Sequence, residues 1–426
     1  MRTRRAALGT LLTTLLVLVL ALPAAAAAGD LDHSFSGDGK LRVGISGGAT
    51  DVVIQSDGKA VAVGEGGGDF AIVRLNRDGT LDHSFGGDGV VHIAGGPNRF
   101  DVANGVVVRN GKITVVGTST RDSDLVTALA LIRLNSDGTP DHSFSGDGLQ
   151  LLRVGSSSSG QDLAIQGDGR IVAVGTSDHE FLVMRRKPDG SPDPTFSNDG
   201  STRTAFGEHV SGFSVGIDPT GGRIVVGGLE RNSGGFEHNF AVAAYTQNGD
   251  LDHSFNGNGK MVRVTTVNGG LSALSVLGNG RIVADGTTSQ GQAGRQFLLE
   301  KYRRDGSFDT SFGGGDGVVV TGFKVGGQAR DDAALDLTVQ SDGKIVAVGE
   351  SVGADIRFAV VRLTAGGALD PSFHGGGTLT AFNQDAIAEG VAVNNATHRV
   401  LVVGDERTTG PTIRIDAMLA ARYLGA

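Results

Sequence analysis

Three features of the sequence predict an all-β fold made of seven similar units. A segment of the form Asp-x-Ser-Phe, or a close variant of it, occurs seven times, with its aspartates 50 to 61 residues apart. The 70 glycines alternate with short β-branched runs, as in strands joined by tight turns. After its leader, the chain opens with one strand of the unit and finishes with the other three. Together these features predict a closed, seven-bladed β-propeller of four-stranded blades.

The first 28 residues have the pattern of a secretory signal. Three arginines precede an uncharged apolar run at residues 6–22, and residues 23–28 are the small residues at which a signal peptidase cuts. An uncleaved membrane anchor is the alternative, because the apolar run nearly reaches spanning length. The abrupt change to Gly29-Asp30 favours cleavage. We therefore expect 1–28 to be a signal peptide, 29–426 to form the propeller, and the mature protein to be secreted and free of the membrane.

Each repeated unit is predicted to contain four strands in a fixed order. The first strand ends in an Asp-Gly or Asn-Gly pair, as at Asp57-Gly58, where a tight hairpin needs positive φ. A β-branched second strand follows, and the third strand often begins with phenylalanine, as at Phe70 and Phe358. The fourth strand follows the Asp-x-Ser-Phe segment. No stretch after residue 28 has a sustained helical pattern, so the fold is predicted to be all-β.

The two ends of the chain are predicted to close the ring. Residues 31–45 resemble a fourth strand without the other three, and residues 387–424 resemble a first, second and third strand without a fourth. Pairing these ends completes one blade and removes the open sheet edges. A β-solenoid is the alternative architecture, but it does not predict ends that complement each other.

The repeated unit resembles the delta-60 repeat. Asp-Gly-x-Leu-Asp-x-Ser-Phe, then Gly-x-Gly, then Gln-Ser-Asp-Gly-Lys-Ile-Val-Ala-Val-Gly recur in register, most clearly at 341–349 and 368–373. The similarity covers residues 30–426. It implies a propeller of an exported or cell-surface bacterial protein, similar in blade pattern to NHL repeats, and it implies no defined reaction. The fourth copy of the segment and Ala244, which replaces a basic residue, depart from the pattern and are expected to alter local packing.

The residues that recur in every unit are predicted to be structural. The phenylalanines of the Asp-x-Ser-Phe segments are expected to fill the space between blades. Its aspartates are expected to form ion pairs or turn hydrogen bonds with the basic residue of the third strand, such as Arg74, because buried charges must be paired.

Charge and composition disfavour several classes of function. Three of the 37 basic residues belong to the leader, so the mature chain has 34 basic and 46 acidic residues and a formal charge of −12. This charge disfavours nucleic acid and anionic membranes as partners. The absence of cysteine excludes disulfides, thiolate metal sites and cysteine nucleophiles.

No metal or cofactor is expected. His33, His83, His142 and His253 share one repeat position, where ring symmetry would hold them much farther apart than the roughly 2 Å of a metal bond. The Gly-x-Asp-Gly runs lack the alternating oxygen ligands and final glutamate of an EF-hand loop. Calcium at these runs is therefore the less favoured alternative.

Positions at which the repeat loses its symmetry are the candidates for function. The loops between second and third strands differ in length and share one face with the connections between blades, which we call the loop-rich face. Asp285 replaces the valine or glycine of the other units and is expected to line the axial channel, since a buried carboxylate must be paired. With it, the candidate ligand-binding residues are Arg121, Asp122, Asp124, Glu230, His238, Asp355, Arg357 and Glu406.

The sequence favours a binding or scaffolding module over an enzyme, because no catalytic constellation can be identified in it. The expected partner is an unidentified extracellular protein or polymer that contacts the loop-rich face. The alternative is an extracellular hydrolase or lyase with a site at the mouth of the channel. The lack of tryptophan weakens a carbohydrate-directed function, since glycan sites use aromatic platforms. A purely structural surface protein is disfavoured because no sorting signal or C-terminal anchor is visible.

Overall fold

Strands form nearly all of the regular structure in the computed structural model, which describes residues 26–207, 209–231, 238–264, 269–289, 294–408 and 414–425. Thirty strands and one 3-10 turn, His374–Gly376, lie within these ranges. They form seven antiparallel four-stranded sheets and one small hairpin, Lys324–Val325 with Gln328–Ala329. The predicted all-β, seven-bladed architecture is therefore confirmed.

The blades are numbered along the chain, and the strands of each blade are called first to fourth from the axis outwards. The first strands of blades 1 to 7 are Ala49–Ile54, Arg99–Arg109, Ser158–Ile165, His209–Ile217, Leu271–Val276, Asp331–Val339 and Asp385–Asn394. The second strands are Ala60–Gly66, Lys112–Arg121, Ile171–Ser177, Ile224–Arg231, Ile282–Ser289, Ile345–Val352 and Arg399–Thr408. The third strands are Asp69–Leu75, Thr127–Leu134, Glu180–Arg186, His238–Tyr245, Arg295–Tyr302, Ile356–Leu363 and Arg414–Tyr423. The fourth strands are Val90–Ile93, Leu149–Leu152, Ser201–Thr204, Lys260–Arg263, Val318–Thr321, Gly377–Thr380 and, for blade 7, Lys40–Val43.

The blades form a closed ring around one axis. Each first strand packs against the first strands of both neighbouring blades, and the first strand of blade 7 contacts those of blades 6 and 1. The fourth strand of blade 7 comes from the start of the chain and pairs with its last strand, from Lys40 opposite Ala421 to Val43 opposite Met418. The predicted closure by the two chain ends is therefore confirmed.

The hydrophobic core is divided into packets between neighbouring blades. The packet between blades 7 and 1 contains Phe35 and Val43 from the start of the chain together with Leu75 and Met418. Gly79, at a φ of 87°, lies directly under the Phe35 ring, where a side chain would clash. All seven phenylalanines of the repeated segment are buried in this way, as predicted.

The repeated segment links each blade to the next through one basic side chain, which is Lys301 in blade 5 and an arginine in the other six blades. In blade 2, Asp141 Oδ1 accepts the hydroxyl of Ser143 at 2.7 Å, and its Oδ2 accepts Arg133 Nε at 2.7 Å. The Arg133 guanidinium lies 4.7 Å from the centre of the Phe144 ring and also donates to the Pro188 carbonyl in the next blade. The predicted ion pairs of the repeat are therefore confirmed.

Blade 4 compensates for Ala244 with an arginine from its second-strand turn. Arg223 lies 5.8 Å from the centre of the Phe255 ring and donates to the Arg304 carbonyl of the next blade at 2.6 Å. Its Nη1 lies 3.7 Å from the carboxylate of Asp252. The departure from the repeat thus changes which residue supplies the cation, and the blade-to-blade contact is retained.

Most of the predicted leader, residues 1–25, lies outside the described residues, so its cleavage stays a prediction. Ala28 is buried against blade 7, and the Gly29 amide donates to the Leu424 carbonyl at 2.9 Å. Among the described residues, no helix has the length and apolar character needed to cross a membrane.

Candidate functional site

The candidate residues predicted from the sequence lie in five separate blades. In blade 2, Arg121 Nε donates to Asp124 at 2.9 Å, in the same loop as Asp122. In blade 4, Glu230 accepts the side-chain amide of Asn239 at 2.8 Å, and His238 begins the third strand. The structure therefore does not bring these residues into one site.

The remaining loop candidates also form local pairs. In blade 6, Asp355 accepts hydrogen bonds from Arg357 at 2.7 Å and Arg330 at 3.1 Å. In blade 7, Glu406 accepts Arg42 Nε at 2.7 Å. Two of the predicted variable loops continue into residues 232–237 and 409–413, which lie outside the described residues.

Asp285 does not line the axial channel as predicted. Its side chain is 0% exposed, because it lies beneath the first strand of blade 5. Oδ1 accepts the Ala273 amide at 3.0 Å, while Oδ2 has no hydrogen-bond partner among the described residues. Burial raises the pKa of Asp285 well above its ordinary value. The replacement of valine by aspartate therefore changes the interior of blade 5 and adds no group to the channel wall.

The first strands of the blades line the channel, and a β-bulge recurs in each of them. One residue is skipped in the pairing of each first strand with the second, and it is half-buried in every blade. In blade 2 this residue is Asn104, which lies 3.4 Å from the hydroxyl of Thr118 and donates to the Gly160 carbonyl of the next blade at 2.7 Å. In each blade, two side chains therefore face the channel at its loop-rich end: the bulge residue and the residue equivalent to Thr118.

These two positions differ in chemical character around the ring. The bulge residues of blades 1 to 7 are Thr50, Asn104, Gln161, Phe213, Ser272, Leu335 and Glu389. Their second-strand companions are Glu65, Thr118, Thr176, Leu229, Thr287, Glu350 and Asp405. Blades 6, 7 and 1 carry four carboxylates, whereas blade 4, across the ring, carries two apolar side chains. We call Glu65, Glu350, Glu389 and Asp405 the acidic mouth.

Two arginines on the loop-rich face neutralise part of the acidic mouth. Arg407 lies 3.3 Å from Glu389 Oε1 and 3.1 Å from Asp405 Oδ2. Arg295, from blade 5, lies 2.9 Å from Glu350 Oε1 and is shared with Asp331 at 3.1 Å. Carboxylates therefore outnumber cations, and the mouth retains negative charge.

The charge of the acidic mouth changes with pH near neutrality. Burial, reinforced by the neighbouring carboxylate of Asp405, raises the pKa of Glu389 to about 7. Burial also raises the pKa of Asp405, although Arg407 opposes this shift. Burial raises the pKa of Glu65, while the Gly68 amide opposes the shift by donating to it. A cation placed among these groups would favour their charged forms.

Below the acidic mouth, three further aspartates join pairs of blades. The residue after the bulge is aspartate in blades 1, 3 and 6, and one oxygen of each accepts a backbone amide of the following blade. Asp51 binds the Val106 amide at 2.8 Å, and Asp162 and Asp336 bind the equivalent amides of blades 4 and 7 at 2.8 Å. Burial raises the pKa of Asp51 to about 7 and that of Asp162 to about 6. These carboxylates are already hydrogen-bonded, so we assign them to blade contacts.

Two large cavities open on the face opposite the acidic mouth. One, of about 630 Å³, lies between the turns of blades 7 and 1, and the other, of about 810 Å³, lies between those of blades 3 and 4. Both are lined by residues of the repeated turns. Within the described residues, no group of three or more histidine, aspartate or glutamate side chains could hold a metal ion.

The seven closed blades and their repeated segment make this chain a β-propeller repeat protein. The model of a β-propeller family described as a domain of unknown function, DUF5122, matches it at residues 55–85, 109–144, 166–196, 277–312 and 340–373. These matches cover less than half of the chain and support a β-propeller repeat family; they leave the delta-60 resemblance a prediction. No curated protein matches the chain.

Solved structures resemble the protein in fold alone. A polysaccharide lyase of family PL25, an ulvan lyase, is 11% identical over 91% of this chain and 96% of its own, with a TM-score of 0.49. The β-propeller domain of the Trilobed protease from Pyrococcus furiosus is 11% identical over 88% of this chain and 96% of its own, with a TM-score of 0.45. The endosialidase of phage phi92 is 11% identical over 91% of this chain and 69% of its own, with a TM-score of 0.42.

Proposed function

We propose that the protein is an exported binding module that receives a cationic group of an extracellular protein or polymer in the acidic mouth. The observation that supports this proposal is the loss of symmetry at the channel wall. Four carboxylates gather in three neighbouring blades, and within the described residues two arginines pair with them. A residue required for the fold alone would recur in every blade, as the repeated aspartates do.

The opposite wall suggests what surrounds the cationic group of the ligand. Phe213 and Leu229 of blade 4 are half-buried and face the same level of the channel. A lysine or arginine side chain has an apolar stem behind its charge, so it could contact both walls at once. A basic peptide segment therefore fits this surface better than an anion or an uncharged sugar.

Titration of lysine hexapeptide into the mature protein tests the proposal by calorimetry. The matched ligand is the same hexapeptide acetylated at its N-terminus and at every lysine Nζ, which removes the positive charges. Replacing Glu389 by Gln together with Asp405 by Asn should weaken binding about tenfold or more, because each removes a charged hydrogen-bond acceptor. The control Asp122→Asn removes a charge from the same face in blade 2 and should leave the affinity unchanged. Equal weakening in both variants, or equal binding of the acetylated peptide, would contradict a specific site.

The pH dependence of this binding has a defined sign. Because the pKa of Glu389 is raised to about 7, the free protein gains negative charge at the mouth between pH 6 and pH 8. Affinity for the lysine peptide should therefore rise over this interval in the wild type and remain flatter in Glu389→Gln.

An extracellular hydrolase or lyase is the second candidate, and one observation favours it. Arg407 contacts both Glu389 and a second carboxylate, Asp405. The pKa of Glu389 is raised to about 7, and a general acid needs such a raised pKa. Release of reducing ends or of unsaturated products from polysaccharides by the wild type, lost in Glu389→Gln, would favour this function over binding alone.

A further inference from the structure

We propose that a second pocket, at the loop end of blade 2, binds an oxyanion, either a carboxylate or a sulfate group. Its volume is about 250 Å³, and Arg99, Arg121 and Arg153 line it together with Leu151 and Thr127. This inference is independent of the acidic mouth, because it concerns another blade and a ligand of opposite charge. Of the three arginines, only Arg121 was a candidate from the sequence.

The three arginines reach the pocket from different strands. Arg99 begins the first strand of blade 2 and is the cross-strand partner of Arg121, which ends the second strand, so both side chains leave the same side of the sheet. Arg153 follows directly after the fourth strand. The long first hairpin of blade 2 creates this arrangement, since its strands extend to 11 and 10 residues.

The positive charge of the pocket is only partly neutralised. Arg121 is paired with Asp124 at 2.9 Å, whereas the hydrogen bond of Arg99 goes to the uncharged hydroxyl of Ser119 at 3.2 Å. Arg153 has no ion pair within 4.0 Å among the described residues. The nearby Asp101 is buried, and it accepts the Gly95 amide at 2.6 Å. Burial raises the pKa of Asp101 and the charge of Arg99 opposes this shift, while Arg121, and more weakly Arg153, lower the pKa of Asp124. Arg99 and Arg153 thus lie near carboxylates without an ion pair to them among the described residues, and their N–H groups remain available for an added anion.

The chemistry of these groups selects an oxyanion. A guanidinium presents parallel N–H donors that match two oxygens of one carboxylate or sulfate. The volume admits such a group with a few waters, since a water occupies about 30 Å³. Val126, Ala128 and Leu151 line the same pocket, so apolar surface lies beside the cationic groups. An oxyanion attached to an apolar body should therefore bind more tightly than the free ion.

Calorimetry or ligand-observed NMR with four probes tests the proposal: sulfate, phenyl sulfate, acetate and benzoate. We expect phenyl sulfate or benzoate to bind more tightly than the corresponding small ion, and the stronger of the two identifies the headgroup. Arg153→Gln and Arg99→Gln should each weaken this binding about tenfold, the value expected for one charged hydrogen-bonded contact. Arg153 is exposed and makes no ion pair within the described chain, so its variant should keep the melting temperature of the wild type.

Arg231→Gln is the matched control. Arg231 lies at the end of the second strand in blade 4, opposite His209, as Arg121 lies opposite Arg99 in blade 2. Its removal should leave the affinity for the aromatic probes unchanged. Absence of binding at millimolar probe, or equal affinity in Arg153→Gln and the wild type, would overturn the proposal. Equal weakening by Arg231→Gln would also overturn it, because it would show a general charge effect.

Discussion

Replacing Phe35 by Ala should open the ring at one defined place. Phe35 is 2% exposed in the packet between blades 7 and 1, and the Arg422 guanidinium lies 4.8 Å from the centre of its ring. Truncation of a buried phenylalanine costs about 3–5 kcal/mol, and loss of the cation–π contact adds about 0.5–2 kcal/mol. The segment that carries Phe35 is attached to blade 7 only by non-covalent contacts. These include the four residue pairs of Lys40–Val43 and an ion pair from Asp32 to Arg422 at 2.9 Å.

Phe85→Ala provides the matched control. Phe85 is 0% exposed and lies 4.7 Å from the Arg74 guanidinium, so it makes the equivalent contacts between blades 1 and 2. Its segment follows directly from the third strand of the same blade, so the chain itself keeps that blade together. Both variants should lose a similar free energy of unfolding in urea. Only in Phe35→Ala should the closing strand separate at a free energy lower than that of global unfolding.

Native-state hydrogen exchange distinguishes the two variants. In Phe35→Ala the amides of Lys40–Val43 and of the paired residues Met418–Ala421 should exchange faster than the amides of blades 3 and 4, because the closing strand separates before the molecule unfolds. In Phe85→Ala these same amides should keep the protection of the global transition. If the closing amides are equally protected in both variants, the non-covalent closure is not the weakest point of the ring and the reasoning fails.

Three further predictions concern charge and the start of the chain. The pKa values of Asp51 and Asp162 are raised in the folded state, so their contribution to stability is present at low pH and is lost as pH rises through about 6 to 7; the urea midpoint should be higher at pH 5 than at pH 8, and Asp51→Asn should reduce that difference. Arg362→Met should cost about 3–5 kcal/mol, because a fully buried arginine is removed and the buried Asp370 keeps only the partly exposed Lys344 as a cationic partner. Arg281→Met removes a half-exposed arginine that lies 3.2 Å from Asp309, and it should cost less in the same urea titration. Signal peptidase should leave a mature chain that begins near Gly29, and an intact mass that retains the apolar residues 6–22 would contradict this.

The sequence alone was sufficient to predict the blade number, the strand order and the ring closure. Each follows from residues that recur in register, and the same local contacts form wherever these residues recur. The Asp-x-Ser-Phe segment and the third-strand arginine show this, since Asp141 and Arg133 form the ion pair that the pattern predicts. The ring closure could also be predicted, because the order of the repeats shows that the first unit has only a fourth strand and the last unit has only the other three.

The composition of the acidic mouth was decided by the tertiary structure. Glu389 lies at a bulge, and one extra residue in a strand reverses which side chains face the channel, so alternation along the sequence assigns it to the wrong side. The same geometry explains the error at Asp285, whose place in the second strand lies behind the first strand of its blade. Glu65 and Asp405 come from near opposite ends of the chain and lie in neighbouring blades only because the ring is closed between blades 1 and 7. Spacing in sequence reports which blade holds a residue, whereas the bulge and the ring decide what that residue touches.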